Sequence, residues 1–264
     1  MNLREIDFTV RDQKLYPEYD KPLKFAMLDE TRMFFGEVLA KNLSLLNFLD
    51  SEWTFVNERL ARHYAIDGVR GVAMRKVRLQ PQHRRGGLLT HASVLKVSAD
   101  GTNTSPIFRG IFVLDRFLGV HPPPPPPDVP GVEPDIRGAQ TLRELLAKHR
   151  DIASCNSCHR VIDPPGFALE NYDVMGGWRV HYRSLNPEFA SPDEKLTGGR
   201  RVCWRVGPPV DASGQTPDGQ QFEGLDDYKQ ILLSEPQRFA KTMAGKLATY
   251  GTGRGMGFSD RAEL

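Results

Sequence analysis

The stretch Gly138–Arg179, GAQTLRELLAKHRDIASCNSCHRVIDPPGFALENYDVMGGWR, decides how the chain is read, because it holds two of its three cysteines. Cys155 and Cys158 stand three apart and His159 follows at once. On a helix, positions i, i+3 and i+4 share one face. Two thiols so placed can add across the two vinyl groups of one haem while the imidazole reaches its iron. CxxCH therefore points to c-type haem attachment, one covalent haem c with His159 as proximal ligand.

Other uses of the pair fit less well. A structural zinc site needs further ligands, and only Cys203 and scattered histidines remain, with no second CxxC. A thioredoxin-like dithiol follows a strand in a βαβ unit, whereas this motif follows a helical pattern and precedes Asp163-Pro164-Pro165-Gly166. Cys203, in RRVCWRV, reads as a small half-buried side chain in a strand.

The residues after the motif are candidates for a haem pocket. A carbonyl of Pro164 or Pro165 would accept from the ring N–H of His159, as groups behind a metal-bound histidine do. Phe167, Leu169, Tyr172 and Trp178 would supply apolar wall, and Arg179 or the Trp178 N–H would meet a propionate. Each is equally open to a reading as ordinary packing or surface. Met175, His181 and Met243 are the candidates for the distal iron ligand, Met175 being nearest in sequence, and an open sixth position is the alternative.

Upstream, Thr141 and Glu144 form a capping box ahead of LRELLAKH, a helix that delivers the chain to Cys155. Before it stands HPPPPPPDVP. Pro122 to Pro127 lack amide donors and have fixed φ, so they predict a polyproline II spacer rising roughly 3 Å per residue. This divides the chain into a helical domain over 1–120, a linker over 121–134 and a haem-binding module over 135–264.

In the N-terminal part, Met27, Phe34, Phe35, Val38 and Leu39 mark one apolar face of a helix. Asp50-Ser51 reads as the start of a second, carrying Trp53, Val56, Leu60 and Tyr64. Val69 to Val97, including LLTHASVLKV, reads as extended. Ser105-Pro106 opens a helix that runs to Gly119. His83 and His91 have no partner spacing for a metal and read as structural or exposed, and Arg84-Arg85 and Arg200-Arg201 as solvated surface. Near the C-terminus, DASGQTPDGQQF suggests a tight hairpin, and a last helix runs from Pro236 past Tyr250 to the glycines of GTGRGMG. The fold expected is mainly α: a helical N-terminal domain with some extended segments, then a cytochrome c-like helical haem module.

Composition narrows the functions available. Thirty-five Lys and Arg against 33 Asp and Glu, among 264 residues, leave too little charge to suggest nucleic-acid binding. No stretch approaches the roughly 18 apolar residues of a membrane helix.

The segments RGGLLTHASVLKVSADGTNTSPIFRGIFVLDRFLG, PPPPPPDVP, CNSCHRVIDPPGFALENYDVMGGWR, VDASGQTPDGQQFEG and FAKTMAGKLATYGTGRG resemble a family of large planctomycete-type multidomain proteins. These are known as domains of unknown function (the 1592/1588/1585 series) with a C-terminal cytochrome c-like CxxCH module. The helices from Phe34 to Tyr64 resemble the domain that precedes these segments. The resemblance implies haem c at Cys155, Cys158 and His159, electron transfer with a redox partner protein, and a periplasmic or otherwise extracytoplasmic site. Family members are usually longer and carry an export signal, which the opening MNLREIDFTVRD does not resemble; the sequence is thus expected to be a fragment. Two other functions stay open: a haem peroxidase or redox subunit of a polymer-degrading complex, and a non-redox binding module with a CxxC disulfide.

Overall fold

Asp20 starts the first long helix, its side chain accepting from the Leu23 N–H while Pro22 sits in the first turn, where no amide donor is needed. Helix α1 (Lys21–Ala40) buries Met27, Phe34 and Val38, as the spacing predicts, and leaves Leu39 exposed. The computed structural model describes residues 3–123, 143, 144, 146, 153–197, 199, 201–257 and 260. The capping-box residue Thr141 and most of the proline run lie outside the described residues.

The second expected helix begins only at Glu58. Ser51 turns its hydroxyl to the Trp53 backbone instead of capping a helix. The next residues, aromatic and β-branched, form β1 (Trp53–Val56), which suits a pleated half-buried surface. It pairs antiparallel with β2 (Arg75–Arg78), Trp53 opposite Arg78 and Val56 opposite Arg75. Helix α2 (Glu58–His63) follows β1, with Asn57 accepting from the Leu60 N–H.

LLTHASVLKV is helical where extension was expected. A 3-10 turn over Leu88–Thr90 leads into α3 (Ala92–Val97). Leu88, Leu89, Ala92, Val94 and Leu95 are all buried, and a short run apolar on every side carries no period to separate strand from helix. Helix α4 (Pro106–Phe117) starts as expected, the Ser105 hydroxyl accepting from the Phe108 N–H at 3.3 Å. Gly119, at φ +65°, lets the chain leave it in a left-handed turn.

Helix α5 (Ala153–Phe167) carries CNSCH and continues through Pro164 and Pro165. Beyond it come β3 (His181–Ser184), a short α6 (Glu194–Thr197), and β4 (Arg205–Pro209), antiparallel to β3. The expected hairpin is β5 (Gly214–Gln215) with β6 (Gln221–Phe222). Helices α7 (Leu225–Ser234) and α8 (Pro236–Thr252) end the described chain, α8 closing on Gly253 at φ +69°. Cys203 precedes β4 and is exposed, not half-buried in a strand.

The mainly α expectation does not hold. The structure is 46% helical with 12% strand, and among the described residues there are three small antiparallel sheets and no cytochrome-like haem module that stands apart. Helix α5 packs along α4 and touches β5, while α4 in turn meets α8. The helix expected to lead from Thr141 into CxxCH and pack on the last helix lies largely outside the described residues. One apolar cluster joins Phe34 and Phe48 to Val113, Leu169, Tyr172, Phe222, Tyr228 and Phe239, so residues from both sides of the proline run share it.

The α4–α5 crossing is close because glycines form it. A side-chain carbon at Gly110 would collide with the Ile162 carbonyl, and one at Gly166 with the Pro106 carbonyl. Residues 162–167 are all buried against this contact, which holds the helix through two prolines that cannot donate to the preceding turn. Gly110→Ala and Gly166→Ala should each destabilise the fold by about 1–3 kcal/mol in urea unfolding. A change within about 0.5 kcal/mol, the range of a neutral surface substitution, would contradict this crossing.

Candidate functional site

On α5 the three residues of the motif sit on one helix as their spacing predicts. Cys155 is buried at 9% exposure, and Cys158 and His159 are half-buried. All three cysteines are free thiols. Ser157 and Arg160, on either side, are exposed, so the motif opens to the surface.

The group behind His159 is not a proline carbonyl. Its Nδ1 lies 2.9 Å from Oδ1 of Asp163, one helical turn on and fully buried. A carboxylate oxygen accepts, so Nδ1 is the donor of this pair. The Pro164 carbonyl instead accepts from the Ala168 N–H. Two free thiols and an imidazole on one helix are the set that haem c requires, and the residues fit that group. Among the described residues, no three His, Cys, Asp or Glu side chains gather as a separate metal site.

The loop after α5 is fixed by buried charges. Arg109, on α4 and 0% exposed, donates to the carbonyls of Leu169, Tyr172 and Asp173 at 2.8, 2.7 and 2.9 Å. Burial lowers its pKa to about 10, opposed by Glu170 3.7 Å away, so it stays charged at neutral pH. Glu170 in turn accepts from Thr104, Arg179 and Tyr182. Arg85 donates to the carbonyls of Thr90 and Gly176, its guanidinium 3.4 Å from the centre of the Tyr64 ring. His63 donates from Nε2 to the Met175 carbonyl, and burial holds its pKa down against the pull of Asp173. Asp173 accepts from the Met175 and Gly177 amides, closing the turn from within.

These contacts place the expected pocket residues elsewhere. Met175 is fully buried with Leu15, Tyr16, Ala99, Val174 and Trp204, a cluster without α5 residues. The structure therefore does not bring it to the motif. Leu169 and Tyr172 belong to the main core, and Phe167 packs beneath the Arg143 guanidinium. Trp178 stands edge-on to Tyr172 with Arg84 over its face. Arg179 is engaged with Glu170 and Thr104. His181 is exposed on β3, and Met243, on α8, packs at the margin of the main core.

A second group of titratable side chains lies between α1 and α3. Glu30 accepts from Thr54 and Tyr64, and His91 Nδ1 is 2.9 Å from the Thr31 hydroxyl. Burial raises Glu30 from 4.5 to about 7, against those two hydrogen bonds and nearby Arg85, which lower it. Burial, with Arg85, lowers His91 to about 3. His91 is structural, as its lack of partner spacing suggests. Arg85 is not solvated surface.

Sequence reasoning missed Asp163, Arg109 and Arg85. Asp163 had a signal, standing four residues after His159 on a helical pattern. The two arginines had none, since charge gives no hint of burial.

Three families match in succession, each described as a protein of unknown function: DUF1592 over residues 1–66, DUF1588 over 85–182 and DUF1585 over 218–264. The middle match spans the proline run and the CxxCH helix. The chain is thus built of successive domains of the planctomycete-type series. Comparison with curated proteins and with solved structures gives no match.

Arg109→Leu should cost about 3–5 kcal/mol in urea unfolding, because Glu170 and three carbonyls lose their buried donor; a loss under about 1 kcal/mol would contradict the clamp. Glu30 holds its proton more tightly folded than unfolded, so its contribution is full below pH 4.5 and is lost as pH rises to about 7. His91 acts oppositely, its contribution full above 6.5 and lost as pH falls toward about 3. Glu30→Gln isolates the first effect. From pH 4.5 to 7 the wild type should lose ground to this variant by up to about 1.4 kcal/mol per pH unit; a pH-independent difference would contradict the assignment.

Proposed function

We propose, for a chain built of three successive domains of the planctomycete-type series, that it is a c-type haem protein passing single electrons to a redox partner protein. Cys155 and Cys158 are its thioether anchors and His159 its proximal iron ligand. The observation that carries this reading is the geometry of α5: free thiols three residues apart, and directly after them an imidazole on the same helix, held at Nδ1 by the Asp163 carboxylate.

Cys155 and Cys158 would each hold the haem by a thioether bond to one of its vinyl groups, an addition from which nothing leaves and which needs no oxidant. When bound, haem c supplies a one-electron iron couple. The protein's part is to hold the anchors on a helix that cannot shift. Arg109 and the α4–α5 glycine contact do this from behind, and the exposed Ser157 and Arg160 keep the motif within reach of a partner. Because haem c is attached outside the cytoplasm, the working location is periplasmic or otherwise extracytoplasmic. The distal position is not given to Met175, whose side chain is spoken for by the core.

Expression with haem-maturation machinery should yield a haem-stained band on a denaturing gel, lost when Cys155 and Cys158 are both changed to alanine. A band that persists in the double variant places the haem elsewhere. A colourless wild type whose Cys155 and Cys158 form a disulfide would favour the binding-module function instead.

A further inference from the structure

We propose that the outer edge of β2 is a docking site for an extended acidic segment of a partner protein, which adds to the β1–β2 sheet as a third strand. The haem reading is not needed for this. The juxtaposition that carries it is an unpaired strand edge set within a run of basic side chains.

The edge follows from the register. Just beyond β2, the Leu79 N–H donates to the Glu52 carbonyl at 2.7 Å, and Trp53 stands opposite Arg78. In an antiparallel ladder, hydrogen-bonded pairs alternate with pairs that are not bonded. Val77 and Arg75 therefore turn their amides and carbonyls to β1, and Lys76 and Arg78 turn theirs away from it. The sheet has only these two strands, and Arg75, Lys76 and Arg78 are all exposed. On the opposite edge, the Ser51 hydroxyl takes both the amide and the carbonyl of Trp53. The edge of β2 has no such cover among the described residues.

From Gly68 to Gly87 the chain carries Arg70, Arg75, Lys76, Arg78, Arg84 and Arg85 and no Asp or Glu, although the whole sequence is nearly balanced at +2. Of these only Arg85 is buried. Glu37 meets Lys76 at 3.0 Å, Glu52 meets Arg78 at 3.3 Å and Glu58 meets Arg70 at 3.5 Å. The Arg78 pair is exposed on both sides and so holds weakly. Arg75 has no carboxylate in ion-pair range among the described residues and donates to the Arg70 carbonyl at 2.6 Å.

A charged edge strand resists pairing with its own copies, because like charges placed opposite each other repel. A second copy of β2 is thus a poor occupant. The same charges favour a strand that bears carboxylates: backbone pairing supplies affinity, and charge supplies selectivity. A nucleic acid offers the charge but not the strand ladder.

The probe is a blocked peptide of about ten residues alternating glutamate and threonine, long enough for one strand, added to the full chain labelled with nitrogen-15. Binding should shift the Lys76 and Arg78 amide signals and slow their hydrogen exchange. A peptide with lysine in place of glutamate should not bind. Arg75→Glu combined with Arg78→Glu should weaken binding about tenfold or more. Arg78→Pro removes an outward amide and no bond to β1, so it should weaken binding further than Arg78→Ala does. Absence of binding, equal binding of the lysine peptide, unprotected Lys76 and Arg78 amides, or equal binding by the proline and alanine variants would overturn the proposal. So would tighter binding of an oligothymidylate, or a dimer formed through the same amides without peptide. If a variant does not fold, exchange protection in the wild type decides.

Discussion

The structure depends on a single buried guanidinium. Arg109 reaches from α4 to three carbonyls of the loop that leaves the CxxCH helix, and no part of it meets solvent. A charge so placed is tolerated only when its donors are met and its counter-ion is near. Glu170 supplies the counter-ion and binds Thr104, Arg179 and Tyr182 in turn. The loop from Ala168 to Arg179 has almost no regular structure, yet its backbone is held by Arg109, Arg85, His63 and Asp173. Its order comes from side chains that grip the main chain.

That grip and the glycine crossing have one consequence for the motif. Helix α5 is held along its C-terminal half, where Asp163 to Phe167 are buried, and its N-terminal half is left to present Cys158 and His159. Asp163 stands at the junction of the two halves. The motif is thus built into the shared core of the chain and is not the start of a separate cytochrome-like bundle. This explains why the pocket residues expected from sequence order were not found around it: Met175, Leu169 and Tyr172 face the N-terminal elements they help to fix.

What could be read in the sequence followed local chemistry. The caps at Ser105 and Gly253, the face of α1, the DASGQTPDGQQF hairpin and the helical placement of CNSCH all follow from rules that act over a few residues. The failures share a different cause. Trp53–Val56 and Ala92–Val97 are short apolar runs whose structure is set by partners far along the chain, Arg75–Arg78 in the first instance and Tyr64, whose hydroxyl accepts from the Ala92 N–H, in the second. Arg85 looked like surface charge and Arg109 carried no signal, because the acceptors of each include backbone carbonyls some 60 or 90 residues away, which no composition reveals. The family resemblance named the domains correctly and could not supply the way they share a core.

The central claim is that α5 presents Cys155, Cys158 and His159 as one covalent haem anchor. Intact-mass spectrometry of the denatured wild-type chain, made with haem-maturation machinery, tests it most directly. The account predicts a mass increased by one haem, with the added mass mapped after digestion to the peptide that holds both cysteines. An unmodified mass, or haem that departs on denaturation, would contradict it.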